Sequence, residues 1–285
     1  IAHVVRSFTD KDIIHVSNEV NPVSDIETIN LELIMADLTT VEKRMEGVRS
    51  KARANDKEGI MQLAVLEKIR TALLKGDRAY TVAYGDEPAE MSQGDKSGGP
   101  ATMATPLGGE TPFVKTLQLL TMKPMIYIMN VDELSIAQET GLPHADPHAM
   151  KFPDAVIISA KLEAELADLS EEDMKNYLED LGLKESGLDQ LIRQSYKLLH
   201  LITYFTSGPE ETRAWTIVEG TKAPQAAGVI HTDFERGFIR AEVMRWKDLV
   251  ECGSEAVAKE RALFRLEGKE YVVQDGDVMH FRFAV

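Results

Sequence analysis

Asn130-Val131-Asp132-Glu133 and Ser159-Ala160-Lys161 are the two segments of this 285-residue chain whose residue types and spacing suit ligand recognition. Each follows an apolar run, Met125-Ile126-Tyr127-Ile128-Met129 for the first and Ala155-Val156-Ile157-Ile158 for the second. Such runs read as strands of a parallel sheet, and ligands of open parallel sheets bind beyond the carboxyl ends of the strands. The tetrad has the spacing of Asn-Lys-x-Asp, in which the carboxylate accepts two hydrogen bonds from guanine's ring N–H and exocyclic amine. Here the acid is Glu. Adenine offers a carboxylate only its amine, because its ring nitrogen is an acceptor, so an altered carboxylate should relax or reverse a guanine preference. Alone, a strand followed by Asn-x-x-Glu also fits a plain polar loop. A second strand ending in Ser-Ala-Lys shifts the balance, because its backbone and small side chains can line the other edge of a base.

The elements that must position these segments are legible as rhythm. Ile1-Ala2-His3-Val4-Val5-Arg6-Ser7-Phe8 reads as a first strand that starts without a lead-in. Ser24-Asp25-Ile26-Glu27 is a capping box, expected to open a long helix. Ile34, Leu38, Val41, Met45 and Val48 step along that helix at the spacing of a coiled-coil seam. Asn55-Asp56-Lys57-Glu58-Gly59 reads as a turn, and Ile60, Leu63, Leu66, Ile69 and Leu73 supply a second stripe, so an antiparallel helical hairpin is expected. From about Tyr80 to Thr111 the sequence is rich in Gly, Pro, Thr, Ser and Met without period, which predicts a loop. Strand-helix alternation resumes at Lys123: Ser170 and Asp173 cap one helix, and Leu188, Leu191, Ile192 and Leu199 line another. The expected result is an α/β sheet, covered on both faces and interrupted by the hairpin. From about Leu201 short strands take over, at Leu201–Phe205, Arg213–Ile217, Phe238–Met244, Phe264–Leu266, Tyr271–Val273 and Val278–Phe283. Helices at Ala223–Ile230 and Glu255–Arg261 complete a small α+β domain.

Composition narrows the function classes. With 44% hydrophobic and 28% charged residues the chain is an ordinary globular protein. No apolar run approaches the roughly 20 residues of a membrane span, and Ile1 opens no signal peptide, so a cytoplasmic protein is expected. Cys252 reads as an inert thiol, having no His or Cys at ligand spacing beside it. The net charge of −15 argues against broad capture of nucleic acid. Residues 201 to 285 hold 11 basic and 14 acidic side chains, a net of −3, so this part is the better candidate for approaching RNA.

Several long motifs in order make the resemblance specific: Ile14-His15-Val16 through Asn21-Pro22, Asp25 to Asn30, Asn130 to Glu133, Ser159 to Lys161, and the run Gly220 to Arg240. Together they resemble the YchF/Obg-like ATPases over nearly the whole chain. The resemblance implies a P-loop NTPase, or G-domain, fold with an inserted α-helical coiled-coil arm and a C-terminal β-grasp domain of the TGS type. Residues 1–23 would be a remnant of the G-domain, 24–122 the arm with its loop at about 80–111, 123–200 the second half of the G-domain, and 201–285 the TGS domain. It further implies ATP preferred over GTP, Mg²⁺ as cofactor, association with the ribosome, and Asn130, Val131, Glu133, Ser159, Ala160 and Lys161 at the base. Phe8 would lie beside the adenine or, alternatively, pack in the core. His15 would orient or deprotonate the attacking water in place of the usual glutamine; a solvated loop histidine is the other reading.

The sequence also departs from the family pattern. The phosphate-cradling GxxxxGK[ST] has no match in the 285 residues, nor does the Asp-x-x-Gly segment that would bind magnesium. A truncated chain, inactive by itself, is therefore expected. His144 and His148 flank Asp146 at a metal-like spacing, but Pro143 and Pro147 argue for an exposed loop. His231 to Phe238 and Val273 to Val278 resemble the TGS signature, with Arg236, Arg240 and Lys247 as candidates for contact with RNA or protein. The competing functional class is a non-catalytic adaptor that binds a ribosome, RNA or another protein through the arm and the TGS domain.

Overall fold

The computed structural model describes residues 1–10, 13, 19–84, 111–133, 136, 155–208 and 211–284, with the side chains of residues 83 and 84 excepted. The proposed water-orienting His15, residues 85–110 of the predicted loop, and His144, Asp146 and His148 lie outside these residues. The chain divides into two units, Ile1–Gln190 and Leu191–Val285.

In the first unit, three parallel strands join segments far apart in sequence: β1 (Ala2–Arg6), β2 (Ile126–Asn130) and β3 (Val156–Ile158). Their order is β1-β2-β3, and the register sets Arg6 beside Asn130 and Asn130 beside Ile158, so all three end in one row. Alternation puts His3 and Val5 on the buried face of β1, where Val5 and Met129 pack on Ile26 of helix α1 (Pro22–Arg53). Val4 on the other face is 62% exposed. Among the described residues, β1 is therefore covered on one face where two were expected.

Helix α1 starts earlier than its predicted capping box. Asn21 is the cap, its side-chain oxygen accepting from Ser24 N at 3.2 Å, and Pro22 takes the first helical position, where a missing N–H costs nothing. Helix α2 (Lys57–Lys75) returns antiparallel after Asn55 and the capping Asp56. Ile34, Val41, Met45 and Val48 bury against Leu66, Ile69 and Leu73, as the stripes predict. Ile60 does not; it is 46% exposed, and Gly59 is buried instead. There the two helices approach so closely that a Cβ on Gly59 would sit 2.9 Å from Ala52 N and Lys51 Cβ. Helix α3 (Ala79–Tyr84) takes the first residues of the predicted loop, and Thr111 caps α4 (Pro112–Leu117). Buried Asp37 of α1 accepts from Leu120 N at 2.8 Å and Thr121 N at 2.7 Å, tying the hairpin to the segment that leads into β2.

After β3, α5 (Ala160–Ala167) and α6 (Glu171–Asp180) bury Leu162, Leu166 and Leu178 together. Ser170 caps α6 by accepting from Asp173 N and donating to its carboxylate, the expected pair. Helix α7 (Gly187–Leu198) departs from expectation. Leu188, Ile192 and Leu199 are exposed where a core-facing stripe was expected; the first turn is held by Gly187 N, which donates to Glu163 Oε1 at 2.8 Å.

The second unit contains a five-stranded mixed sheet of β4 (Leu201–Ser207), β5 (Thr212–Val218), β6 (Phe238–Arg245), β7 (Arg265–Glu267) and β8 (Asp277–Phe283), in the order β5-β4-β8-β6-β7. The first and last strands run parallel side by side, with antiparallel partners outside them, which is the β-grasp arrangement. Helix α8 (Ala223–Ile230) buries Ala223, Ala226 and Ala227 against Tyr204, Ala241, Val243 and Met279, and Tyr204 donates its hydroxyl to Ala226 O at 2.8 Å. On the opposite face Phe205, Met244 and Val278 are covered by residues of α10 (Trp246–Cys252) and α11 (Glu255–Glu260), after the short α9 (Thr232–Arg236). Tyr271–Val273 is a single bridge to Lys222 and not a strand, because Tyr271 O accepts from Ala223 N at the start of α8 and Val273 N donates to Thr221 O just before it.

Candidate functional site

The row Arg6, Asn130, Ile158 sets the predicted segments at one edge of the sheet. Ser7 N donates to Asn130 O at 2.8 Å and Val131 N to Ile158 O at 2.8 Å, carrying the strand pairing one step past each strand end. Asn130 then crosses between strands: its Oδ1 accepts from Ala160 N at 3.0 Å. An amide oxygen so engaged leaves its NH₂, two donors, for other partners. Ser159 is buried and caps α5 by accepting from Leu162 N, so its hydroxyl has a structural duty. Val131 is buried and its amide is bonded, so any contribution to a ligand is through its carbonyl.

Glu133 and Lys161 close the outer side. Lys161 Nζ donates to Glu133 Oε2 at 3.1 Å and lies 3.9 Å from Glu165. The Glu133 carboxylate, first by hydrogen bond and then by charge, raises the lysine's pKa above its ordinary value. Glu133 Oε1 is shielded from solvent and has no hydrogen-bond partner among the described residues.

Phe8 is half-buried just past the end of β1, with the Arg6 guanidinium 4.7 Å from its ring centroid. Arg6 also donates to Phe8 O at 3.1 Å and Ile13 O at 3.1 Å, holding the chain that leaves the strand. Sequence reading missed Arg6; the available signal was a basic residue at the last position of a strand followed by an aromatic. Asp37 was missed too, since nothing in the seam announces a carboxylate that bonds two distant amides.

The second unit does not gather its three candidate cations. Arg236 and Arg240 lie near the start of β6, whereas Lys247 follows its end in α10; the strand from Arg240 to Arg245 alone spans about 17 Å at the rise of an extended chain. All three are exposed. Arg240 pairs across the ladder with Arg282, whose guanidinium bonds Glu242 Oε1 at 3.1 Å, so the like charges are partly offset. Gly237 permits the close crossing at this end, since a Cβ there would fall 1.9 Å from Ala284 O.

A protein of Bacillus subtilis named ribosome-binding ATPase YchF is 46% identical over 289 residues, covering the whole of this chain and 73% of that protein. The chain belongs to the YchF family. The Obg-like ATPase 1 of rice is 37% identical over 290 residues, covering all of this chain and 68% of the rice protein. The solved structure of the Schizosaccharomyces pombe YchF GTPase superposes with a TM-score of 0.74 at 33% identity, over 99% of this chain and 71% of that one. A family model, YchF-GTPase_C, described as a protein of unknown function (DUF933), matches residues 201–284, the β-grasp sheet with its helices. The shared fold is therefore the P-loop NTPase arrangement with a C-terminal β-grasp domain, as the motifs implied.

Proposed function

We propose that this YchF-family chain reads an adenine base at the ends of β1, β2 and β3, and that it serves an ATP-hydrolysing cycle carried out on the ribosome. The observation that carries the reading is the bond from Ala160 N to Asn130 Oδ1, which turns the Asn130 NH₂ into a donor for a purine ring nitrogen. The Glu133 carboxylate supplies an acceptor for adenine's amine. Phe8 offers an aromatic surface from the neighbouring strand end. Relatives named ribosome-binding ATPases support both the nucleotide and the partner.

Hydrolysis by P-loop proteins is positioning and charge stabilisation of the phosphates, with Mg²⁺ bridging them. The residues present do not fit that group. The sequence has no GxxxxGK[ST], and the described residues contain no cluster of three His, Cys, Asp or Glu that could hold a metal ion. His15 is the candidate for orienting the attacking water. The adaptor reading coexists with this one, since Arg236, Arg240 and Lys247 are candidates for ribosome contact whatever the nucleotide does.

Titration calorimetry with ATP and GTP tests the base reading. Glu133→Asp, which restores the guanine-reading acid, should move the affinity ratio toward GTP; an unchanged ratio removes Glu133 from the base site.

A further inference from the structure

We infer that Arg6 positions the Phe8 ring for stacking on the base, by packing its guanidinium on one face of the ring and bonding the backbone that carries it; the inference rests on the adenine reading above. Arg6 is the last residue of β1, in register with Asn130, and leaves the strand on the face opposite buried Val5. All three guanidinium nitrogens donate to carbonyls of the segment that follows: Nε to Phe8 O at 3.1 Å, Nη1 to Ile13 O at 3.1 Å and Nη2 to Asp10 O at 3.4 Å. Carbonyls from residues 8, 10 and 13 gathered around one planar group fold that segment back onto the strand end. The central carbon of the same group stands over the Phe8 ring, 4.7 Å from its centroid.

An aromatic ring has two faces. With the guanidinium on one of them, a base can stack only on the other, so Phe8 offers the ligand one surface in one orientation. The ring is half-buried, and two side-chain torsions must be fixed before it can stack. Fixing them ahead of binding spares the ligand that entropic cost. Lysine would serve poorly here, because its ammonium is a compact charge, whereas the arginine fork donates in several directions within one plane and lies flat on an aromatic ring. Arg6 is thus a positioning residue, touching Phe8 and the backbone and not the base. The parallel ladder to β2 holds the strand end from which it reaches.

The test uses the ¹⁵N,¹³C-labelled chain, first without ligand and then titrated with adenosine. Without ligand, the Arg6 Nε–H should exchange slowly with solvent and show through-space contact with the Phe8 ring. The variants are Arg6→Lys, Arg6→Gln, Phe8→Ala and the double variant Arg6→Gln/Phe8→Ala, each also unfolded in urea to separate binding from folding. Adenosine binding should weaken several-fold in Arg6→Gln and in Phe8→Ala, and Arg6→Lys should recover only part of the loss. The double variant should bind no more weakly than Phe8→Ala alone. If Arg6→Gln unfolds, Arg6→Lys against the unsubstituted chain carries the comparison. If folded Arg6 variants keep the original affinity, or the ligand-free contact with Phe8 is missing, the role of Arg6 is overturned while the base site stands. If the double variant binds several-fold more weakly than Phe8→Ala, Arg6 acts on the ligand without Phe8 and the assignment fails. If adenosine shifts no amide of residues 130–133 and 159–161 in the unsubstituted chain, the adenine reading itself falls, and this inference with it.

Discussion

Asn130 has two separable roles, because its oxygen and its nitrogen face different partners. The oxygen holds Ala160 N, and in the proposed adenine reading the nitrogen donates to the base. Asn130→Ala removes both, and the lost hydrogen bond should lower stability by about 1 kcal/mol in urea unfolding. Asn130→Asp keeps an acceptor for Ala160 N and removes the donors. It should unfold close to the unsubstituted chain yet lose the adenosine-induced shifts. Equal loss of binding and stability in both variants would show that the residue is structural only.

At the scale of the element, the strands are brought together by contacts remote from the site. Asp37 holds the segment before β2 through two buried amides, and Asp37→Ala leaves both without that acceptor. A loss of about 2 kcal/mol or more is expected in denaturant unfolding. Gly59→Ala should cost about 1–3 kcal/mol, since the added carbon has no room at the close approach of α1 and α2. His3 supplies a pH dependence. Its ring lies on the buried face of β1 against Tyr127, and burial lowers its pKa, with Asp25 partly opposing. A folded-state pKa below the unfolded value of about 6.5 means that the unfolded chain binds the proton more readily. Stability is then full above that value, declines as the pH falls below it, and levels off below the lowered folded value. His3→Gln should flatten this part of the profile, measured as urea midpoints over a pH series.

The whole molecule consists of two units with separate cores, and stability should divide accordingly. Tyr204 is fully buried and bonded, so Tyr204→Ala should destabilise the β-grasp unit by about 3–5 kcal/mol. Tryptophan fluorescence should follow that loss, because Trp215 and Trp246 both lie in this unit. The amide dispersion of the first unit should persist. At the same scale, purified chain should release no phosphate from ATP above an Asn130→Ala control, since its 285 residues hold no GxxxxGK[ST]; sustained release would overturn that expectation. If Arg236 and Arg240 meet rRNA, replacing either should reduce the salt slope of ribosome co-sedimentation by about 1.

The sequence by itself determined the types of the main elements and their order along the chain. The heptad-like seam of α1, the stripe of α2, the apolar strands β2 and β3 and the helix Ala223–Ile230 follow from periodicity, which is a property of neighbours along the chain. It also named the segments of the candidate site, because Asn130 ends one of those strands and Glu133 and Ser159 to Lys161 follow directly. Tertiary structure alone decided which atoms meet. The Asn130 bond to Ala160, the Lys161 pair with Glu133 and the burial of Asp37 join residues 28 to 84 positions apart. They depend on strand register and on where distant backbone amides point, and local patterning encodes neither. The same limit explains the errors at element ends. Ile60 fits the stripe but lies outside the helix contact, and Tyr271–Val273 has the composition of a strand while its bonds go to the turn into α8. In both cases packing partners, and not propensity, set the outcome.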